Sequence, residues 1–325
     1  MTMKLTSVVW LISSLAALAA TEEQLNKRFT VQPGGKLVVD VDFGSLNVST
    51  NATSEVVVDV WRKITRKSKA DEAAFLREHP VTFSQDGNTV SVRSRHDGMS
   101  RWSWSGRSRN EATYTITVPA QFNAQLRTAG GAITASDLTG EVKANTSGGG
   151  LRFANLRGPL DGDTSGGGIR VTDCQGTLKI HTSGGGIEVT GGSGSLAGET
   201  SGGSVTVRDF QGGARVHTSG GGITIEDVIG RIEGSTSGGS ISAALPAPLS
   251  EDVKLTTSGG GVTVRIPEKA AFDLDAATSA GRVSSDLPVT VVGKIARDRL
   301  KGAVNGGGKS VVLRTSAGSI HVKKL

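Results

Sequence analysis

A Thr-Ser-Gly-Gly motif followed closely by an apolar residue returns along this chain at a fixed spacing, and that period constrains the fold more than any other feature. Versions of it begin at Thr128, Thr146, Thr164, Thr182, Thr200, Thr218 and Thr236, each 18 residues after the last, and then at Thr257, Thr278 and Thr315 at wider intervals. A unit this small cannot bury an apolar face alone. Units repeated at one period stack, each covering the face of the next.

Aligned on the Thr, the fifth residue on is Ile133, Leu151, Ile169, Ile187, Val205, Ile223 and Ile241, and two further come Ala135, Phe153, Val171, Val189, Val207, Ile225 and Ala243. Alternation with period two predicts a short strand with one buried face. Nine residues later the pattern repeats at Val142, Leu160, Leu178, Leu196, Ala214 and Ile232, with Gly140, Gly158, Gly176, Gly194, Gly212 and Gly230 two positions ahead of each. Glycine accepts positive φ and offers no Cβ to collide with an identical turn above or below, so these columns are read as stacked corners. Asp137, Asn155, Asp173, Asp209 and Asp227, with Gly191 in the same column, are residue types that tolerate a left-handed turn. The expected fold is all-β: a parallel β-solenoid, β-helix- or β-roll-like, with 18-residue coils of two short strands rising about 4.8 Å per coil.

The 325 residues include 46 Gly but only 8 Phe, 4 Trp and one Tyr, which predicts a thin core. Residues 1–20 carry Lys4, an apolar run from Val8 to Leu18 and small residues at Ala17, Ala19 and Ala20. This reads as a cleaved secretory signal peptide, and no later stretch is long and apolar enough for a transmembrane helix. An exported protein is expected, in the periplasm, on the outer surface or extracellular. The single cysteine, Cys174, shares its column with Leu138, Leu156, Phe210 and Val228, an apolar corner position, and is read as a buried structural thiol. The net charge of +6, with both signs interspersed, says little by itself about partners.

The mature chain divides into residues 21–127, a β-rich segment with one short helix and a basic-aromatic loop, and the repetitive solenoid of 128–325, continuous with it. Phe43 to Val48 resembles a degenerate repeat and is read as a possible start of the stack. Ser68 to Glu78 is the one convincing helix, with Asp71 and Glu72 near its start, Phe75 and Leu76 as its apolar contact and His79-Pro80 as its stop; it is expected to cap the stack. Arg93 to Arg109 holds five arginines and two tryptophans with a single acid, and is read as a long hairpin loop. Beyond Leu245 the period breaks at Pro246 and Pro248. Pro288 to Lys301 is read as a longer excursion, a short helix or amphipathic lid, and the strands Val311–Leu313 and Ile320–Val322 are expected to close the stack.

With Thr128-Ala129-Gly130-Gly131-Ala132-Ile133 after the Pro119 strand exit, the run of Thr-Ser-Gly-Gly motifs, and the closing Leu313-Arg314-Thr315-Ser316-Ala317-Gly318-Ser319-Ile320, the chain resembles the bacterial putative-adhesin family of β-strand-repeat envelope proteins, a domain of unknown function. The resemblance covers roughly Phe29 to Val322. It implies adhesion as a role and supplies no catalytic residues.

The candidate partner-binding residues are Arg93, Arg95, Arg101, Trp102, Trp104, Arg107 and Arg109. Guanidinium and indole together engage an anionic glycan, a lipid headgroup or a protein partner through charge and cation–π contacts, whereas a solvated loop tip is the plain alternative. Nucleic acid is not expected of an exported chain lacking a nucleic-acid-binding signature. His181, Glu199 and His217 should fall on neighbouring rungs, a spacing that a metal could use, but alternation of charge along an exposed sheet explains them without one. Calcium of the β-roll kind requires Asp where this chain has Arg170, Glu188 and Thr224. No cofactor or metal is expected, and no nucleophile and base are brought together by the repeats. The reading is a non-catalytic exported scaffold, adhesin-like; the alternatives are an accessory of envelope-stress signalling and a glycan-cleaving β-helix enzyme.

Overall fold

The structure is a computed structural model that describes residues 20–95, 109–291 and 296–325; residues 1–19 of the expected leader fall outside it. Two long sheets face each other, one of 14 strands and one of 15 among the described residues. Through the regular region each repeat gives one strand to each sheet. Gln175–Thr182, for example, lies in the 15-strand sheet and Ile187–Thr190 in the 14-strand sheet.

Neighbouring rungs pair in parallel and in exact phase with the sequence period. Ile169 faces Ile187 and Ile187 faces Val205, while Leu160 faces Leu178 and Leu178 faces Leu196. The alternating apolar positions are the buried ones, so one continuous narrow core of mostly Val, Ile and Leu runs between the sheets. The parallel β-solenoid is thus the fold.

The Thr that begins each motif is buried, at 0 to 6 % exposure from Thr128 to Thr315. Its hydroxyl is fully used. Thr182 Oγ1 donates to the Gly167 carbonyl of the rung before at 2.7 Å and accepts from Gly185 N at 3.3 Å, and the donation recurs from Thr128 through Thr315. Each corner is therefore tied to its neighbour by a side chain as well as by backbone.

Two glycine columns serve two different needs. Gly176 has φ +131° and a Cβ there would stand 2.4 Å from the Gly158 carbonyl oxygen. Gly167 has no positive φ, yet a Cβ on it would stand 2.1 Å from the Gly149 oxygen. The first column is required by conformation and space, the second by close approach alone. Asp137, Asn155, Asp173, Asp209 and Asp227 adopt φ between 50° and 64°, as their residue types suggest. Cys174 is buried, its Sγ donating to the Thr172 carbonyl at 3.4 Å, and burial pushes the thiol pKa up.

The ends of the stack depart from chain order. At the N-terminal end the outermost rung is Thr89–Ser94 with Arg109–Pro119; Gly35–Val41 with Ser45–Asn51 lies one rung inside it, next to Phe122–Thr128 and Ile133–Ser136. The copy at Phe43 to Val48 therefore supplies the second rung rather than starting the stack. The other end mirrors this. Lys309–Thr315 and Ile320–Lys324 slot between Val253–Thr257/Val262–Ile266 and Phe272–Thr278/Val283–Ser285. The last strands of the chain thus form an inner rung, and the expectation that they close the stack is corrected. Closure comes instead from antiparallel strands. Arg299–Val304 pairs with Phe272–Thr278, and Thr290–Val291 pairs with Arg299–Val304. In the described part of the Pro288 to Lys301 excursion there are strands where a helix or lid was expected.

At the N-terminal end Glu55–Thr65 pairs antiparallel with Arg109–Pro119, and Thr21–Thr30 pairs with Glu55–Thr65. The helix, Lys69–Glu78, has Ser68 as its N-cap, with Asp71 N donating to Ser68 Oγ at 3.1 Å. It covers the inner face of these two strands. Arg62, only 1 % exposed, donates to Glu23 and, through Nη1, to the His79 carbonyl at 2.6 Å, and Phe75 lies 6.0 Å from Phe43 and 4.0 Å from His79, centroid to centroid.

Glu72 fixes the helix to the first strand. It accepts Thr21 Oγ1 at 2.6 Å, Lys69 Nζ at 3.0 Å and Arg66 N at 3.1 Å. The Thr21 hydroxyl foremost, with Lys69 and the Arg66 amide, lowers its pKa from 4.5 to about 2 against the opposing effect of burial. A carboxyl depressed in the folded state adds stability above its unfolded pKa, and that contribution is lost as the pH falls from about 4.5 toward 2. Glu72→Gln is accordingly expected to lower Tm at pH 7 and to flatten the acid limb of Tm against pH. An acid limb identical to that of the unmodified protein would contradict this role.

Candidate functional site

The corner between Ser94 and Arg109 is where this solenoid breaks its own rule. Ser94 pairs with Val41, which pairs with Thr128, so Ser94 stands in the buried Thr column. In a regular rung, residues 183–186 suffice to cross from Thr182 to the next strand at Ile187; here residues 95–108 make the same crossing. Thr89–Ser94 belongs to the 15-strand sheet and Arg109–Pro119 to the 14-strand sheet. The segment is therefore not a hairpin loop, since its flanking strands do not pair: it is an enlarged sheet-to-sheet corner on the outermost rung.

Of the seven candidate residues, Arg93, Arg95 and Arg109 are described and all three are exposed; Arg101, Trp102, Trp104 and Arg107 lie outside the described residues. Arg93 projects outward beside Asp40, which is followed in the same row by Arg127. Arg95 approaches Asp40 with Nη1 at 3.2 Å and Asp42 with Nε at 3.6 Å. Such partly exposed pairs are worth about 0.2–1 kcal/mol. At the far side Arg109 is opposite Thr65. The structure thus anchors both ends of the corner to rigid strands, on the two different sheets.

Other candidate positions resolve into structural pairs. His181, Glu199 and His217 do fall in register on successive rungs, but His217 Nδ1 sits 2.9 Å from Ser235 Oγ, and among the described residues no three His, Cys, Asp or Glu side chains gather as a metal site. Across rungs of the outer faces Arg170 pairs with Glu188 at 2.8 Å, Arg208 with Glu226 at 2.7 Å and Arg215 with Glu233 at 2.9 Å. A shallow trough of about 520 Å³ follows Gly150, Gly168, Gly186 and Ser204 on the outer face of the 14-strand sheet. Glu188 is the one carboxylate in its lining and is already paired with Arg170. The usual glycoside hydrolysis places two carboxyl groups on either side of the bond, and the lining of this trough holds one.

From sequence, Glu55 to Lys63 reads as a strand with Val56, Val58, Val60 and Trp61, but Trp61 is assigned no role and the buried Arg62 is missed. Strand parity carries the signal: with Val56, Val58 and Val60 inward, Arg62 must follow them and Trp61 must face out.

The model of the Toastrack DUF4097 family matches residues 36–323, nearly the whole described solenoid. The chain belongs to the Toastrack DUF4097 family. Among solved structures, this Toastrack protein is similar to a putative adhesin from Parabacteroides merdae ATCC 43184, with 11 % identity, TM-score 0.37 and coverage of 93 % of this chain and 96 % of that one. A putative adhesin from Bacteroides fragilis NCTC 9343 shows 14 % identity and TM-score 0.30 over 93 % and 97 % of the two chains. A putative lipid binding protein from Parabacteroides distasonis ATCC 8503 shows 10 % identity and TM-score 0.31 over 93 % and 96 %. No curated protein matches the Toastrack chain. Among the described residues no helix is long and apolar enough to cross a membrane.

Proposed function

We propose that this protein is an exported, non-catalytic binding scaffold of the bacterial envelope, adhesin-like in its role, with residues 1–20 as a cleaved leader and the basic-aromatic corner as its contact surface. One observation carries the reading: the outermost rung replaces a four-residue corner, residues 183–186 in the regular pattern, with residues 95–108, rich in Arg and Trp, while both flanking strands stay locked in the sheets. A solenoid holds its corners in place along the whole stack, so an enlarged corner is presented on a rigid support. Arginine and tryptophan suit an envelope glycan, a lipid surface or a protein through charge and cation–π contact.

The test changes Arg101, Trp102 and Trp104 together to Ala and measures binding to isolated envelope polysaccharide, anionic lipid vesicles and envelope protein fractions. A loss of about tenfold or more in affinity is expected, with Tm shifted by no more than about 2 °C because the stacked rungs are untouched. Unchanged affinity would remove the corner from the role. Release of reducing ends from the polysaccharide would replace the scaffold with an enzyme.

A further inference from the structure

The outer face of the 14-strand sheet at its N-terminal end differs from the rest of the solenoid surface. Val56, Val58, Val60, Arg62 and Ile64 are buried, so Val57, Asp59, Trp61 and Lys63 point outward. Trp61 is flanked across the sheet by Gln24 on one side and by Thr113 and then Ser45 on the other. The next row along is Asn26, Asp59, Thr115 and Asn47. These are mostly amides and hydroxyls.

Trp61 is the one Phe, Tyr or Trp at an outward strand position among the described residues. Tyr114, Phe122, Phe153 and Phe272 are buried, and Phe29 and Phe83 pack against the core. Of the charges around it, Lys63 pairs with Glu22 at 3.4 Å, while Asp59 accepts a hydrogen bond from the neutral Asn26 amide and keeps its negative charge. The indole is half-buried at this outward position, with neither a ring contact nor a hydrogen-bond partner among the described residues, and indole brings an apolar ring and an N–H donor to whatever meets it.

We propose that this face is a subsite for a neutral glycan, with Trp61 as the stacking platform and Gln24, Thr113, Asp59 and Asn47 as the polar rim. A pyranose ring carries an apolar C–H face and a rim of hydroxyls that both donate and accept. The indole meets the first, and the amide, hydroxyl and carboxylate groups meet the second. A nucleic acid or an anionic polymer would require a net positive field, which the pairing of Lys63 with Glu22 and the negative charge of Asp59 deny it. Arg109 lies on the same outward face, opposite Thr65, about 14 Å along the strand from Trp61 at ordinary strand rise. The glycan subsite is therefore continuous with the end of the basic-aromatic corner. The inference rests on the binding reading and narrows its ligand.

Affinity electrophoresis of the mature protein through gels containing laminarin, mannan or dextran, with alginate as the charged comparison, tests it. At least one neutral glycan is expected to retard the protein. Trp61→Ala should weaken that binding about tenfold and lower Tm modestly through lost packing of a half-buried ring, whereas Trp61→Phe should retain most of the binding with Tm nearly unchanged. Retardation by none of the three neutral glycans, by alginate alone, or equally for Trp61→Ala would overturn the proposal. Loss in Trp61→Ala with full binding in the Arg101, Trp102, Trp104 triple variant would keep this subsite and remove the corner. The reverse pattern would keep the corner and remove this subsite.

Discussion

Gly176→Val is expected to abolish folding, giving insoluble protein or a chain without a cooperative thermal transition. Two costs coincide at this position. The backbone sits at φ +131°, which an L side chain rarely adopts, and the new Cβ would meet the Gly158 carbonyl oxygen at 2.4 Å and its carbon at 2.8 Å. The atoms in the way are backbone of the rung before, so relief requires rungs to separate. Separation in mid-stack would expose core on both sides, because each rung is covered only by its neighbours. Gly213→Ala makes the control. Nothing lies within 4 Å of a Cβ there and its φ is not positive, so it should fold with stability unchanged or raised by up to about 1 kcal/mol. Gly167→Ala separates the two costs, since its φ is ordinary while its Cβ would stand 2.1 Å from the Gly149 oxygen; a marked drop in Tm is expected from close approach alone. Circular dichroism melts of the three variants check the series. A well-folded Gly176→Val with the parent Tm would refute the stacked-corner geometry.

The regular part of this architecture was legible because every rung repeats the same solution. Ile169, Ile187 and Val205 share a column in the sequence and share a column in the sheet. The ends were not legible, for a physical reason: strand pairing is non-local, and period alone does not say which rung is outermost. Ile320–Lys324 reads as a terminal repeat, but it pairs with Val262–Ile266 on one side and Val283–Ser285 on the other. The same gap produced the hairpin reading of Arg93 to Arg109. Two strands separated by a polar loop look like a hairpin unless their sheets are known, and Thr89–Ser94 and Arg109–Pro119 lie in different ones. Of the candidate surface, the anchoring of Arg95 by Asp40 and Asp42 depends on strand Gly35–Val41 lying beside Thr89–Ser94, a parallel pairing across more than fifty positions that no local pattern announces. Trp61 could have been found from strand parity, because Arg62 interrupts the inward row of valines without shifting it.

The threonine that marks every repeat has a role that its exposure-tolerant residue type conceals, and replacing one should show its size. Thr182→Val keeps the shape of the side chain and is fully buried like the parent. It removes the donor to the Gly167 carbonyl at 2.7 Å and the acceptor for Gly185 N at 3.3 Å. Stranding a buried polar group costs about 1–3 kcal/mol, and the longer second bond contributes the lesser share, so a loss of about 2–4 kcal/mol is expected. Thr182→Ser distinguishes hydroxyl from methyl: it retains both bonds and forfeits about 1 kcal/mol of burial. Denaturant unfolding of the pair therefore measures how much of the inter-rung adhesion is carried by side-chain hydroxyls rather than by the ladder. If Val and Ser variants lose equally, packing of the methyl alone holds the column together and the hydroxyl ladder is incidental. If Val loses several-fold more, the hydroxyl column explains why a thin core of Val, Ile and Leu suffices: each corner is tied to the next by a hydrogen bond shielded from water, and the stack can then carry an enlarged corner on its outermost rung without loosening the rungs beneath it.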